Sequence, residues 1–141
     1  MKKKIHKLAF KPEYQFLLIG ISSHQNDYRI SWAINKQFNL KLSKTENLKI
    51  FNEKLSVDQF FSLYTYEDEN SLSLYNLIAN RCHNGFLMEE LKNIDFLLQI
   101  YGETNDTFIK NLISGLKQID IIITSFKIDP NTLKSRQKLL F

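Results

Sequence analysis

The sequence predicts an α+β fold: an antiparallel-dominated sheet of about five or six strands, two main helices on one face, and a short C-terminal helix. Two observations carry this expectation. A strand-then-helix passage opens the chain at residues 14–38, and a strand–helix–strand passage occupies residues 94–128. Between them lie short apolar runs separated by turn residues, the pattern of a strand meander. The combination corresponds to a ferredoxin-like or ACT-like sandwich with extra strands. With 141 residues, two prolines, four glycines and no Gly/Ser linker, residues 1–141 read as a single domain.

Each element has a local cause. "YQFLLIGISS", residues 14–23, sends Phe16 and Leu18 one way and Leu17, Ile19 and Ile21 the other, so both faces are apolar and the strand is an inner one. "IHKLAF" before it reads as a shorter edge strand. In "HQNDYRISWAINKQFNL", Asn26 or Asp27 caps a helix whose buried face is Ile30, Ala33, Ile34 and Phe38. Tyr28 and Trp32 lie one turn apart on the opposite side and need a cover, from this chain or from a partner. "LKL", "NLKIF", "QFFSLYTY" and "LSLYNLIANRC" read as strands, with the acidic "EDENS" as a solvated hairpin tip.

In the last third, "IDFLLQIYG", "NDTFIKNLISGLKQI" and "DIIITSFKI" form a βαβ unit. Asn105 or Asp106 caps its helix, and Phe108, Ile109, Leu112, Ile113, Leu116 and Ile119 form the apolar stripe. Asp129 followed by Pro130 predicts the start of the C-terminal helix, whose Leu139, Leu140 and Phe141 should dock on the body. The free sheet face is expected to carry Phe60, Tyr64, Tyr66 and Tyr75.

Composition narrows the class further. An apolar fraction of 43% with 24% charged residues is ordinary for a globular protein, and no apolar run reaches the length of a membrane span. The basic start "MKKKIHK" resembles the head of a secretory leader, but Lys7, Lys11, Pro12, Glu13 and Gln15 interrupt the apolar stretch behind it, so it reads as mature sequence. A single cysteine cannot form an internal disulfide and fits a cytoplasmic location. The net charge of +4 conceals an acidic middle: residues 53–106 hold ten acids against three bases, and the basic excess sits near the termini. Such termini read as solvated tails.

Few residues advertise chemistry. "NRCHNG", residues 80–85, places Cys82 beside His83, but Asn84-Gly85 is a hairpin signal, and neighbouring residues of an extended chain point to opposite faces. A turn is expected there. A zinc site would need ligands that His6 and His24 do not supply at any metal-binding spacing. Glu67, Asp68 and Glu69 lack the alternation and glycine of a calcium loop. No phosphate loop, nucleophile elbow or H-E-x-x-H pair is present, so no catalytic residue, cofactor or metal is expected. Ser22, His24, Asp27 and Arg29 form a candidate anion pocket where the first strand passes into the first helix.

The string "MEELKNIDF", residues 88–96, resembles the name-giving motif of the bacterial IPExxxVDY family of small proteins. Glu90 keeps the motif's acid, and Ile94, Asp95 and Phe96 match it conservatively or identically, while Met88 and Glu89 stand in for its isoleucine and proline. "NDYRISWAINK" and the ending "IDPNTLKSRQKLLF" extend the resemblance along most of the chain. The resemblance implies a cytoplasmic single domain and no catalytic residues. Asp95 is expected either to accept backbone hydrogen bonds or meet a base such as Lys92 or Arg81, or to face solvent; Glu90 has the same options.

The leading functional expectation is a non-enzymatic protein-interaction module, a homodimer or a complex with another protein, using Tyr28 and Trp32. The alternative is a small-ligand regulatory domain for an anionic metabolite, by fold analogy. RNA binding ranks third, because the acidic middle opposes phosphate approach despite Lys2, Lys3 and Lys4, and no membrane association is expected.

Overall fold

The computed structural model describes residues 15–141, so the expected edge strand at residues 5–10 lies outside the described part. The central strand β1 (Leu17–Ser22) leads into helix α1 (Asp27–Phe38). The chain then forms β2 (Ser43–Lys44), β3 (Leu48–Asn52), β4 (Val57–Phe61), β5 (Leu63–Asp68), β6 (Ser73–Ala79), β7 (Arg81–Cys82) and β8 (Gly85–Phe86). Strand β9 (Phe96–Tyr101), helix α2 (Asp106–Lys117) and β10 (Thr124–Ile128) complete the regular elements.

Six strands make one sheet in the order β10-β1-β9-β6-β5-β2, and every neighbouring pair is antiparallel. The α2 crossover carries the chain from β9 to β10 across β1, which lies between them. Taken without β2 to β5, the order β1-α1-β6-β9-α2-β10 is the split βαβ weave of a ferredoxin-like sandwich. The α+β class and the two-helix arrangement are therefore as the sequence predicts.

Both faces of the sheet are buried, and alternation along each strand assigns its side chains. Leu17, Ile19 and Ile21 of β1, Leu98 and Ile100 of β9, and Tyr75 and Leu77 of β6 pack under Ile30 and Ile34 of α1 and Leu112 and Leu116 of α2. Leu18, Leu97, Ile78 and Leu74 face the other way, into a second core closed by Leu48, Phe61, Leu87, Met88, Leu133 and Leu139. Each fully buried leucine or isoleucine contributes about 1.5–3 kcal/mol, so the two layers together outweigh any single element's propensity. Gly20 keeps the second layer tight: a Cβ there would lie 2.8 Å from Ile128 Cδ1 and 3.2 Å from Ile94 Cδ1.

Four expectations need correction. Tyr64, Tyr66 and Tyr75 belong to the helix-covered face, because β5 and β6 pair with Tyr66 opposite Tyr75 and Tyr64 opposite Leu77. "QFFSLYTY" is two strands in two sheets: β4 pairs only with β3, and the chain turns at Ser62 before β5 joins the main sheet. Phe60 therefore lies on the separate β3–β4 hairpin. "LKL" is not the strand, which falls at Ser43–Lys44; the Asn35 side chain instead clamps the Leu42 backbone, accepting from its N–H at 2.8 Å and donating to its C=O at 3.0 Å.

The fourth concerns the C-terminal helix, which is two 3-10 turns, Pro130–Thr132 and Arg136–Leu139. Asp129 does cap the first, accepting from Asn131 N–H at 3.0 Å, but Leu133 is extended and breaks the run. A segment this short cannot offset helix nucleation, so burial of Leu133 and Leu139 in the second core decides its shape. A buried polar ladder holds it down. Thr65 donates to Asn76 at 2.9 Å, Asn76 to Gln99 at 2.9 Å, and Gln99 to the Leu139 carbonyl at 2.8 Å.

Candidate functional site

Helix α1 begins as predicted: the Asn26 side chain accepts from the Arg29 amide at 3.0 Å, and Asn39 ends the helix in the left-handed region at φ 56°. With Ile30 and Ile34 pinned to the sheet, helical spacing turns Tyr28 and Trp32 outward, 66% and 57% exposed. They border a groove of about 710 Å³ between α1 and the α2–β10 connection. Lys36 stands over the Trp32 ring at 5.1 Å, Arg29 lies on the same side, and Asp120 and Ile121 belong to the opposite wall. Lys36 apart, both aromatics stay more than half exposed.

A second cleft, of about 520 Å³, opens where β1 passes into α1. His24 and Asp27 line it, as expected of the anion pocket, but the other two members do not: the Ser22 hydroxyl donates to the Asn93 carbonyl at 2.8 Å, and Arg29 belongs to the groove. Ser23, Ser62, Arg81 and Asp95 take their places. The Ser62 hydroxyl donates to Asp27 Oδ2, and the Tyr28 amide donates to Asp27 Oδ1 at 2.8 Å. Tyr64 lies close by; burial raises its phenol pKa first, and the Asp27 charge raises it further. Two carboxylates, one guanidinium and one imidazole make this a mixed-charge site.

Asp95 is a structural hub. Its Oδ1 accepts from Arg81 Nε at 2.7 Å and its Oδ2 from the Ser23 amide at 2.8 Å, which ties the start of β9 to the start of β7 and the end of β1. Of the two bases expected, Arg81 is the partner. Flanking Asp95, Ile94 enters the second core and Phe96 the helix-side core. Glu90, at a 3-10 turn, accepts from the Ser135 amide at 3.0 Å and the Ser135 hydroxyl at 3.2 Å, so it anchors the C-terminal segment. Burial works to raise its pKa, but hydrogen bonds from its own amide and from Ser135 and Lys134 outweigh this and hold it below the ordinary value.

"NRCHNG" is a turn. His83 and Asn84 connect β7 to β8, Gly85 has φ +150°, and Cys82 Sγ donates to Asn84 Oδ1 at 2.9 Å. The buried Gln59 of β4 donates to the Asn84 carbonyl at 3.0 Å and seats the turn against the hairpin. Asn80, fully buried, accepts from the Met88 amide at 2.7 Å and donates to the carbonyls of Leu91 and Ile94, each at 2.9 Å. One side chain thus organises the loop that carries both Glu90 and Asp95. Among the described residues no three His, Cys, Asp or Glu side chains group as metal ligands, and no helix is long and apolar enough to cross a membrane.

Sequence reasoning missed a further exposed face. On the outer side of the β3–β4 hairpin Phe51 and Phe60 are 58% and 47% exposed, beside the Lys49–Asp58 ion pair at 3.7 Å. The alternation Lys49, Phe51 against Asp58, Phe60 was the available signal, once Phe60 is placed on a hairpin outside the main sheet. No protein-family model matches the chain, and neither the curated proteins nor the solved structures provide a match.

Proposed function

We propose that the protein is a non-enzymatic interaction module that self-associates through the outward face of α1. The observation that carries this reading is the Tyr28–Trp32 pair, two large aromatics one helical turn apart and more than half exposed beside a long groove. Aromatic side chains of this kind dominate the energetics of protein interfaces. Charge favours a second copy as the occupant. The α1 side of the groove carries Arg29 and Lys36 and the far wall carries Asp120, so a two-fold arrangement sets the cations of one copy against the acid of the other. A cytoplasmic location, for which the lone Cys82 speaks, and kinship with the IPExxxVDY family, for which the string at residues 88–96 speaks, belong to the same proposal.

Charge-swapped variants test the arrangement. Lys36→Asp alone and Asp120→Lys alone should each be monomeric by light scattering, because each sets like charges together twice in a two-fold pair. An equimolar mixture should recover the dimer mass. Dimeric single variants, or a mixture that stays monomeric, would overturn the proposal.

A further inference from the structure

The cleft beside the α1 N-terminus contains two opposite charges that the fold leaves available. Arg81 is held by only one edge: its Nε donates to Asp95, and its guanidinium lies 5.4 Å from the Phe86 ring centroid. Among the described residues no hydrogen bond uses either terminal nitrogen of Arg81. A guanidinium fixed along one edge and backed by an aromatic ring is preorganised, and its remaining edge matches a carboxylate in a bidentate pair. Asp27, across the same cleft, is half-buried and has no cationic partner among the described residues; its oxygens are met only by the Ser62 hydroxyl and the Tyr28 amide. A carboxylate has roughly four acceptor sites, so Asp27 retains capacity for an ammonium group.

Charge balance decides the ligand class. Asp27 and Asp95 outnumber Arg81 among the acids and strong bases lining the cleft, which disfavours a simple anion. An ammonium group alone would leave the free edge of Arg81 unused. We propose that this cleft binds a small amino-carboxylate zwitterion, its carboxylate on the terminal nitrogens of Arg81 and its ammonium group on Asp27 beside Ser62. The cleft, at about 520 Å³, is in the usual range for small-molecule sites, and Ala79 and Phe96 add apolar lining. The site stands apart from the groove that Tyr28 and Trp32 border, and it does not depend on self-association.

The test is calorimetric titration of the full chain with unbranched ω-amino acids of increasing length, from glycine to 6-aminohexanoate, each beside its matched alkylamine and alkylcarboxylate. One length should bind at least about tenfold more tightly than either single-charge analogue, the factor expected when one charge-assisted contact is lost. Arg81→Gln should reduce that ligand to the affinity of the amine, and Asp27→Asn to that of the carboxylate. Arg81→Lys keeps a cation against Asp95 and so guards against misfolding; it should bind more weakly than the wild type but still prefer the zwitterion. Equal binding of zwitterion and single-charge analogues, binding untouched by both Arg81→Gln and Asp27→Asn, or no binding at any length would each overturn the assignment.

Discussion

Arg81 and Asp95 meet at 2.7 Å across the junction where β7 and β9 begin, and the second oxygen of Asp95 holds the amide of Ser23. One carboxylate thus joins three strand ends. The Asp95 side chain is mostly buried whereas that of Arg81 is about half exposed, so the two halves of the arrangement differ in worth. An exposed ion pair contributes little, but a buried amide left without an acceptor costs about 1–3 kcal/mol. Asp95→Asn, which keeps an acceptor for Ser23, should lower stability by about 1 kcal/mol, and Asp95→Ala by about 2–3 kcal/mol. Urea denaturation of the two variants measures the difference.

Asn80→Ala should be more damaging than any change at Cys82. It strips the Met88 amide of its acceptor and the Leu91 and Ile94 carbonyls of a donor at a site with no solvent access, at a cost of about 3 kcal/mol. Cys82→Ser keeps a donor for Asn84 Oδ1 and should change stability by less than about 1 kcal/mol. Parallel chemical denaturation curves give both values.

Glu90 should make the C-terminal anchor acid-sensitive. Its folded-state pKa lies below the ordinary 4.5, so its contribution is complete above that value and is lost as pH falls through the lower folded-state value. Protection of the Ser135 amide against hydrogen exchange, taken relative to the intrinsic rate at the same pH, should therefore fall in acid. In Glu90→Gln that acid dependence should disappear. A Ser135 amide equally protected on both sides of the transition would contradict the anchoring role.

Burial raises the phenol pKa of Tyr75 and of Tyr101 above 10.0, and the Asp68 and Tyr66 charges add to the effect at Tyr75. Folding thus favours the protonated phenols. Their contribution is complete below the unfolded value of 10.0 and is lost as pH rises through the raised folded-state values. Tyrosinate absorbance should lag behind that of an unfolded control as alkali is added, and then rise together with loss of the fold.

What the sequence made legible was periodicity. Ile30 and Ile34 recur at helical spacing, which placed Tyr28 and Trp32 outward correctly, and the two apolar faces of residues 16–21 identified β1 as an inner strand. Asn84-Gly85 announced its turn through local chemistry alone. Tertiary pairing was not legible. The break at Ser62 separates β4, which pairs only with β3, from β5, which joins the main sheet, a change of pairing partner that no local pattern records. Arg81, at the start of β7, and Asp27, at the start of α1, line one cleft only through pairing distant in sequence, so their common site could not be read from spacing, whereas Arg29, two residues from Asp27, turns away with the helix.

Trp32 is the only tryptophan in the chain, so its emission reports directly on the proposed interface. Serial dilution followed by fluorescence and by light scattering should show emission moving to longer wavelength as the measured mass falls from dimer to monomer. Trp32→Ala should be monomeric throughout yet lose no more than about 0.5 kcal/mol of stability, because an exposed side chain contributes little to the isolated fold. Emission that is unchanged by dilution, with a monomer mass at every concentration, would contradict self-association through α1.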